Sequence, residues 1–358
     1  MSPSSVPDLW SKLASAGLTV GDMPEAEEAH TPWYVRVMLG IAGWIAAVFL
    51  LLFVGVAFDF VIKSKAASFA VGLMVIAAAY AVFRAAPRGD FTSMFALAVS
   101  FAGQVLVTIG VFGFFEGNVT SALPWVAVAA IETVLAVVMP NFVHRAASAY
   151  AAGFAFAYAC EDSGAHAVAG GVLAAAVAIV WLNEARLGKL LHAIVAPIGY
   201  GLTLSFVQIE GTTLFGHSMA LMFGSRVVPG AWPWLGEALV VAALLVSVWV
   251  LLKRTGWALR EPRTVLAFIA AAAIGAASFK APGIAGGLMI ALLGFANGNR
   301  LLVGLGIAAL LFYVSSYYYL FEATLLVKSG VLMATGVALL AARWLMLNVV
   351  IPKEAPDA

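Results

Sequence analysis

Cysteine, charge and hydrophilic stretches are all scarce in this 358-residue chain. The single cysteine, Cys160, excludes an intramolecular disulfide and any cysteine-rich metal centre. Charged residues make up 10% of the chain, against about 25% in a soluble domain, too few to cover a water-facing globule. A net charge of +1 provides no field to attract nucleic acid. HExxH, GxSxG, GxxxxGK(S/T) and a His pair at metal spacing on one helix are all missing. Those absences remove the usual grounds for a catalytic residue, a metal or a cofactor, and none is expected. An ordinary soluble enzyme, a nucleic-acid binder and a disordered chain are excluded together.

Apolar sequence is what the chain has instead: 63% of residues are apolar or aromatic, and mean hydropathy is +1.02. That proportion suits about twelve membrane spans of ~20 residues each. The expected fold is all-α, a polytopic transmembrane helix bundle. Apolar runs fall near 37–60, 66–83, 92–115, 122–140, 146–160, 167–182, 190–208, 236–252, 264–279, 283–296, 301–318 and 324–347. The fifth, sixth, ninth and tenth are shorter than the ~17 residues that usually cross a bilayer. They cross with help from flanking residues or re-enter, and counts of ten or eleven remain open.

Three regions follow: an N-terminal cytoplasmic segment 1–35, a transmembrane domain 36–350 and a cytoplasmic tail 351–358. Within the first, Pro7–Ala16 reads as a short helix with Trp10 and Leu13 on one side and Gly17 at the C-cap. Asp8, Asp22, Glu25, Glu27 and Glu28 precede the first apolar run, which argues against a cleavable signal peptide. Lys and Arg divide fourteen to five between alternate loops, with the richer side holding both termini. By the positive-inside rule both termini are cytoplasmic. Trp33, Trp125, Trp181, Trp232, Trp234 and Trp344 stand at run ends, as interface anchors do. Gly283 and Gly287 have the GxxxG spacing of a close helix contact.

Glu132 is the sharpest chemical signal. It sits mid-run in AVAAIETVLAVV, where a charged carboxylate costs at least ~2.5–3.5 kcal/mol. It must face the bundle interior, either paired, protonated or wetted. Gln104, at similar depth in the preceding run, is its candidate partner. Two readings compete: a titrating or cation-binding site on a permeation path, and a neutral interhelical hydrogen bond. Glu322 and Lys328 flank the last run on the outer side as a second candidate site. Their spacing places them on different helix faces, and Lys328 can also snorkel to the interface. Pro197, with Gly199 and Gly201, marks a possible break in the seventh run. The stretch 209–234, including Glu210 and His217, reads as the longest outer break. Cys160, Glu161, Asp162 and His166 share an outer turn but lack convincing metal-ligand spacing.

LWSKLASAGL (Leu9–Leu18), PWYVRVMLGIAGWIAAVFLLLF (Pro32–Phe53) and YYYLFEATLLVKSGVLMATGVALLAARW (Tyr317–Trp344) together resemble the bacterial membrane family termed domain of unknown function 4401. The resemblance extends over residues 9–347 and implies a multi-pass protein of the cell inner (cytoplasmic) membrane. It also implies a membrane-anchored companion of the GDYXXLXY type, and it brings no catalytic or ligand residue with it. Three functions remain in play: a permease for a small solute or ion, a non-catalytic partner or scaffold subunit, and an intramembrane enzyme acting on lipid-linked substrates. Apart from the bilayer and that companion no partner is expected.

Overall fold

The computed structural model describes residues 6–17, 33–57, 59–85, 90–162, 165–214, 234–254, 256, 261–320 and the isolated positions 326, 329 and 333. Among them every regular element is a helix. In order these are α1 (Val6–Ser15), α2 (Trp33–Ala57), α3 (Asp59–Lys63), α4 (Lys65–Ala85), α5 (Asp90–Phe114), α6 (Ala122–Val138) and α7 (Phe142–Asp162). They continue with α8 (His166–Leu182), α9 (Glu184–Leu214), α10 (Trp234–Arg254), α11 (Pro262–Ser278), α12 (Ile284–Ala296) and α13 (Arg300–Leu320). Apart from α1 and the five-residue α3, eleven helices occupy the first eleven apolar runs. The twelfth run lies almost wholly outside the described residues, as do Glu322 and Lys328.

Five stretches are long and apolar enough to cross a membrane: Lys65–Ala85, Phe91–Phe114, Ala193–Thr212, Trp234–Arg254 and Arg300–Tyr318. Ala122–Val138, Val168–Leu182, Thr264–Ser278 and Ile284–Ala296 are shorter apolar helices. These helices are compatible with an integral membrane protein. The fifth run gains length because α7 extends to 21 residues, taking in His144 and Arg145 at its start. The tenth stays at 13 residues. Gly283, with φ of 90°, caps its start, and Asn297 and Gly298 turn the chain at its end.

Small residues set the helix spacing. In the antiparallel pair α4/α5, a Cβ on Gly72 would sit 2.8 Å from the Gly103 carbonyl, and one on Gly103 would sit 2.9 Å from the Gly72 carbonyl. The α12/α13 hairpin closes in the same way: Gly287 faces Leu310, Gly294 faces Val303 and Gly306 faces Ala291. Gly283 and Gly287 both face α13, as their GxxxG spacing suggests: Gly283, a left-handed cap, lies beneath the Tyr313 ring, and Gly287 packs against Leu310.

The seventh run is helical through Pro197, Gly199 and Gly201; its non-helical residue is Leu191, with φ −134° and ψ 28°. Proline at 197 has no N–H for the Ala193 carbonyl one turn back. That carbonyl accepts instead from Arg145 Nη1 on α7, so the helix does not need to open there. Gly199 admits the Trp181 ring, and Gly201 lies against Ala146 and Ala149 of α7. The two glycines serve close approach rather than freedom.

The C-cap side chain and two side chains distant in sequence tie off the end of α8. Asn183 Nδ2 donates to the Ile179 carbonyl at 2.8 Å, Asn297 Nδ2 to the Trp181 carbonyl at 2.8 Å, and Arg254 to the Leu182 carbonyl. These groups satisfy acceptors that a helix C-terminus leaves open. Trp181 itself is fully buried and donates to Thr203 Oγ1 at 3.0 Å. It is a core residue, not the interface anchor its place at a run end suggests.

Candidate functional site

Polar groups inside an apolar bundle must find partners or leave hydrogen bonds unmade. Between α5, α6 and α7 the chain assembles such a group. α5 and α7 run parallel, and side chains bridge them at successive levels. Asn141 Nδ2, just before α7, donates to Ser93 Oγ at 3.1 Å. One turn further in, Ser100 Oγ lies 2.7 Å from His144 Nε2. Next, Gln104 Nε2 donates to Ser148 Oγ at 2.8 Å and lies 3.4 Å from His144 Nε2. The last two levels keep the same register, since both pairs are 44 residues apart. Asn141 Oδ1 also accepts from the His144 N–H at 3.0 Å and caps the start of the helix.

Glu132 closes this chain from α6. It is 4% exposed, and Ser148 lies within hydrogen-bond reach of its carboxyl. Its other oxygen, Oε2, is buried without a hydrogen-bond partner among the described residues. The anticipated direct Glu132–Gln104 pair is replaced by one through the Ser148 hydroxyl. The reason lies in the packing: α6 packs mainly on α7, and Ser148 of α7 meets both Glu132 and Gln104. Seven residues separate Asn141 from Ser148, so the polar track is ~10 Å deep at 1.5 Å per residue.

Aromatic rings shape both flanks of the track. Phe101 and Phe83 pack against the His144 imidazole, with centroids at 5.5 and 6.4 Å. Beyond Glu132, toward the 122 end of α6, Trp125 meets Phe112 at 5.0 Å and Tyr158 at 4.9 Å, with Phe154 beside Tyr158 at 4.6 Å. The track is polar toward the turn at 139–141 and aromatic toward the other end.

A second buried polar group sits at the opposite end of the bundle. Glu210, read as part of an outer break, is helical and 4% exposed near the end of α9. It lies close enough to Glu237 of α10 to feel its charge, while Ser278 at the end of α11 donates to Glu237 Oε1. Gly170 makes room for the Glu210 carboxyl. Tyr313 stands nearby, its hydroxyl donating to the Val207 carbonyl at 2.9 Å.

His144, Ser100 and Ser148 were not among the sequence candidates, nor were Glu237 and Ser278. Spacing held part of the signal, since Ser93, Ser100 and Gln104 fall on one face of α5 and His144 and Ser148 are one turn apart on α7. Among the described residues there is no cluster of three or more His, Cys, Asp or Glu placed to hold a metal. The side chains of Glu161, Asp162 and His166 lie outside the described residues.

No curated protein and no solved structure matches the chain. A family model described as Domain of unknown function (DUF4401) matches residues 32–349. Its extent takes in every helix from α2 to α13, the polar track and the second buried acidic group, and the chain belongs to that family.

Proposed function

We propose that the protein is a twelve-span permease of the bacterial inner membrane, moving a proton or small cation by way of Glu132. One observation carries the reading: Glu132 is buried in an apolar helix with one carboxyl oxygen bonded and the other unpartnered among the described residues. An unsatisfied buried polar atom costs about 1–3 kcal/mol, and an ionisable group at membrane depth is by default functional. A free acceptor at the end of a polar track is suited to receive a proton or a cation.

The topology in this reading has both termini in the cytoplasm. Arg145, Arg254 and Asn297 meet carbonyls of neighbouring helices at one end of the bundle. In the alternating order of the runs, that end carries most of the Lys and Arg. Reporter fusions at residues 20 and 355 should give cytoplasmic signals and one at Ser218 an external signal. A cytoplasmic signal at Ser218 rules out twelve crossings in this register.

The functional test is proton and cation flux in proteoliposomes, with thermal unfolding measured alongside. Glu132→Gln keeps the shape and the hydrogen bond but cannot ionise, so flux should vanish while the unfolding temperature stays within a few degrees. Unchanged flux would remove Glu132 from the path. The aromatic closure around Trp125 favours a second reading, in which the track is internal glue and the chain is a non-catalytic subunit beside a membrane-anchored GDYXXLXY-type partner. In that case wild-type proteoliposomes show no flux.

A further inference from the structure

Resting on that reading of Glu132, we infer that the species reaching it is a proton, and that His144 relays it from the 139–141 end of the bundle. The geometry first argues against a bare metal cation. A sodium-sized or larger ion wants about six oxygen ligands. The Ser148 hydroxyl meets the Glu132 carboxyl, and Gln104 presents its amide nitrogen, not its oxygen, to that hydroxyl. A proton needs only a chain of groups that can both donate and accept. His144 and Ser148 are such groups, and they stand in line with Glu132.

The relay is an imidazole between two hydroxyls. On one side Ser100 Oγ lies 2.7 Å from Nε2, and on the other Ser148 Oγ lies 3.4 Å from Nδ1. The second separation is long for a standing bond and shortens with a small rocking of the ring, as relay contacts do in use. The step balances without oxidant or reductant. A hydronium ion entering from the aqueous end gives a proton to Ser100 Oγ as Ser100 passes its own hydroxyl proton to Nε2, and the imidazolium releases its Nδ1 proton to Ser148 Oγ. Ser148 passes its own hydroxyl proton to the Glu132 carboxylate, and water is left behind. Rotation of the ring or reversal of the chain resets it. Among the described residues, no other titratable side chain hydrogen-bonds or stacks with the ring. Phe83 and Phe101 flank it, and Gln104 Nε2 lies 3.4 Å from Nε2. The ring's position, not its mere presence, makes it the relay: it is 0% exposed, between the end of the bundle and the carboxyl.

Hydrogen–deuterium exchange at the Glu132 carboxyl tests this independently of transport. In acidic D2O, the carboxylic C=O band of the reconstituted protein is followed by infrared spectroscopy, and the Glu132 component is assigned by its loss in Glu132→Gln. The wild type should exchange within seconds. His144→Gln, which keeps a hydrogen-bonding side chain but cannot relay, should slow exchange on the order of a hundredfold at unchanged thermal stability. Ser148→Ala breaks the last link and should slow it similarly, which covers the case in which His144→Gln does not fold. Exchange as fast as wild type in the folded variants, or a wild-type carboxyl that fails to exchange over hours, overturns the relay. Fast, His144-dependent exchange in a protein that shows no flux upholds the relay and refutes the permease reading alone.

Discussion

Gly103→Leu should lower stability by about 3 kcal/mol or more, enough to deplete the folded protein in the membrane. A Cβ at this position would come 2.7 Å from Ile76 Cγ1 and 2.9 Å from the Gly72 carbonyl. Backbone atoms cannot rotate away as a side-chain tip can, so α4 and α5 must separate along their length. Gly72 meets the same barrier from the other side, 2.7 Å from the Val107 nitrogen. Dispersion contacts along the whole pair are then lost together, and in a bilayer these contacts carry much of the helix association. Gly304→Ala is the matched control: nothing lies within 4 Å of the added carbon. It should be neutral or stabilising by up to about 1 kcal/mol through helix propensity. Thermal or denaturant unfolding in detergent measures both. A Gly103→Leu protein within about 0.5 kcal/mol of wild type would contradict the close pairing of these helices.

The second large effect is a compensation. Arg145→Met should destabilise by about 2–3 kcal/mol, because the Ala193 carbonyl loses its charged donor and Pro197 cannot replace it. Pro197→Ala in that background restores an N–H at the right place in the helix, and most of the loss should be recovered. The coupling between the two sites should therefore reach about 1–2 kcal/mol. Arg145 also reaches the Val137 carbonyl at 3.5 Å, so recovery should be incomplete. Strict additivity in the double-mutant cycle would mean that the arginine serves α9 in some other way.

Hydropathy made the helices legible, since each of the first eleven apolar runs coincides with one. Glu132 was also visible from composition alone, as a carboxylate in the middle of an apolar run. Its surroundings were not. His144 stands beside Arg145 just after Pro140, so it reads as loop, yet α7 begins before it and carries it into the bundle. Glu210 and Glu237 lie near the ends of their runs, where a charge costs little if exposed, and only the packing of α9 against its neighbours shows that Glu210 is buried. Pro197 is the reverse case. The local rule predicts a break, and a side chain more than fifty residues upstream relieves the need for one. Local periodicity determines which residues become helical, but it cannot say that Ser148 of α7 reaches both Gln104 of α5 and Glu132 of α6.

The capping of α8 also sets an order on biogenesis. A ribosome delivers the chain from its N-terminus, so α8 reaches the membrane before Arg254 and Asn297 have been made. Until then the carbonyls of Leu182 and Trp181 lack the donors that later meet them. A nascent chain halted between these positions has open acceptors at the end of an apolar helix, a state that water, a translocon wall or an insertase must shelter. A product truncated before residue 297 never gains the Asn297 donor, so the Trp181 carbonyl depends on water or another chain for a partner in its place.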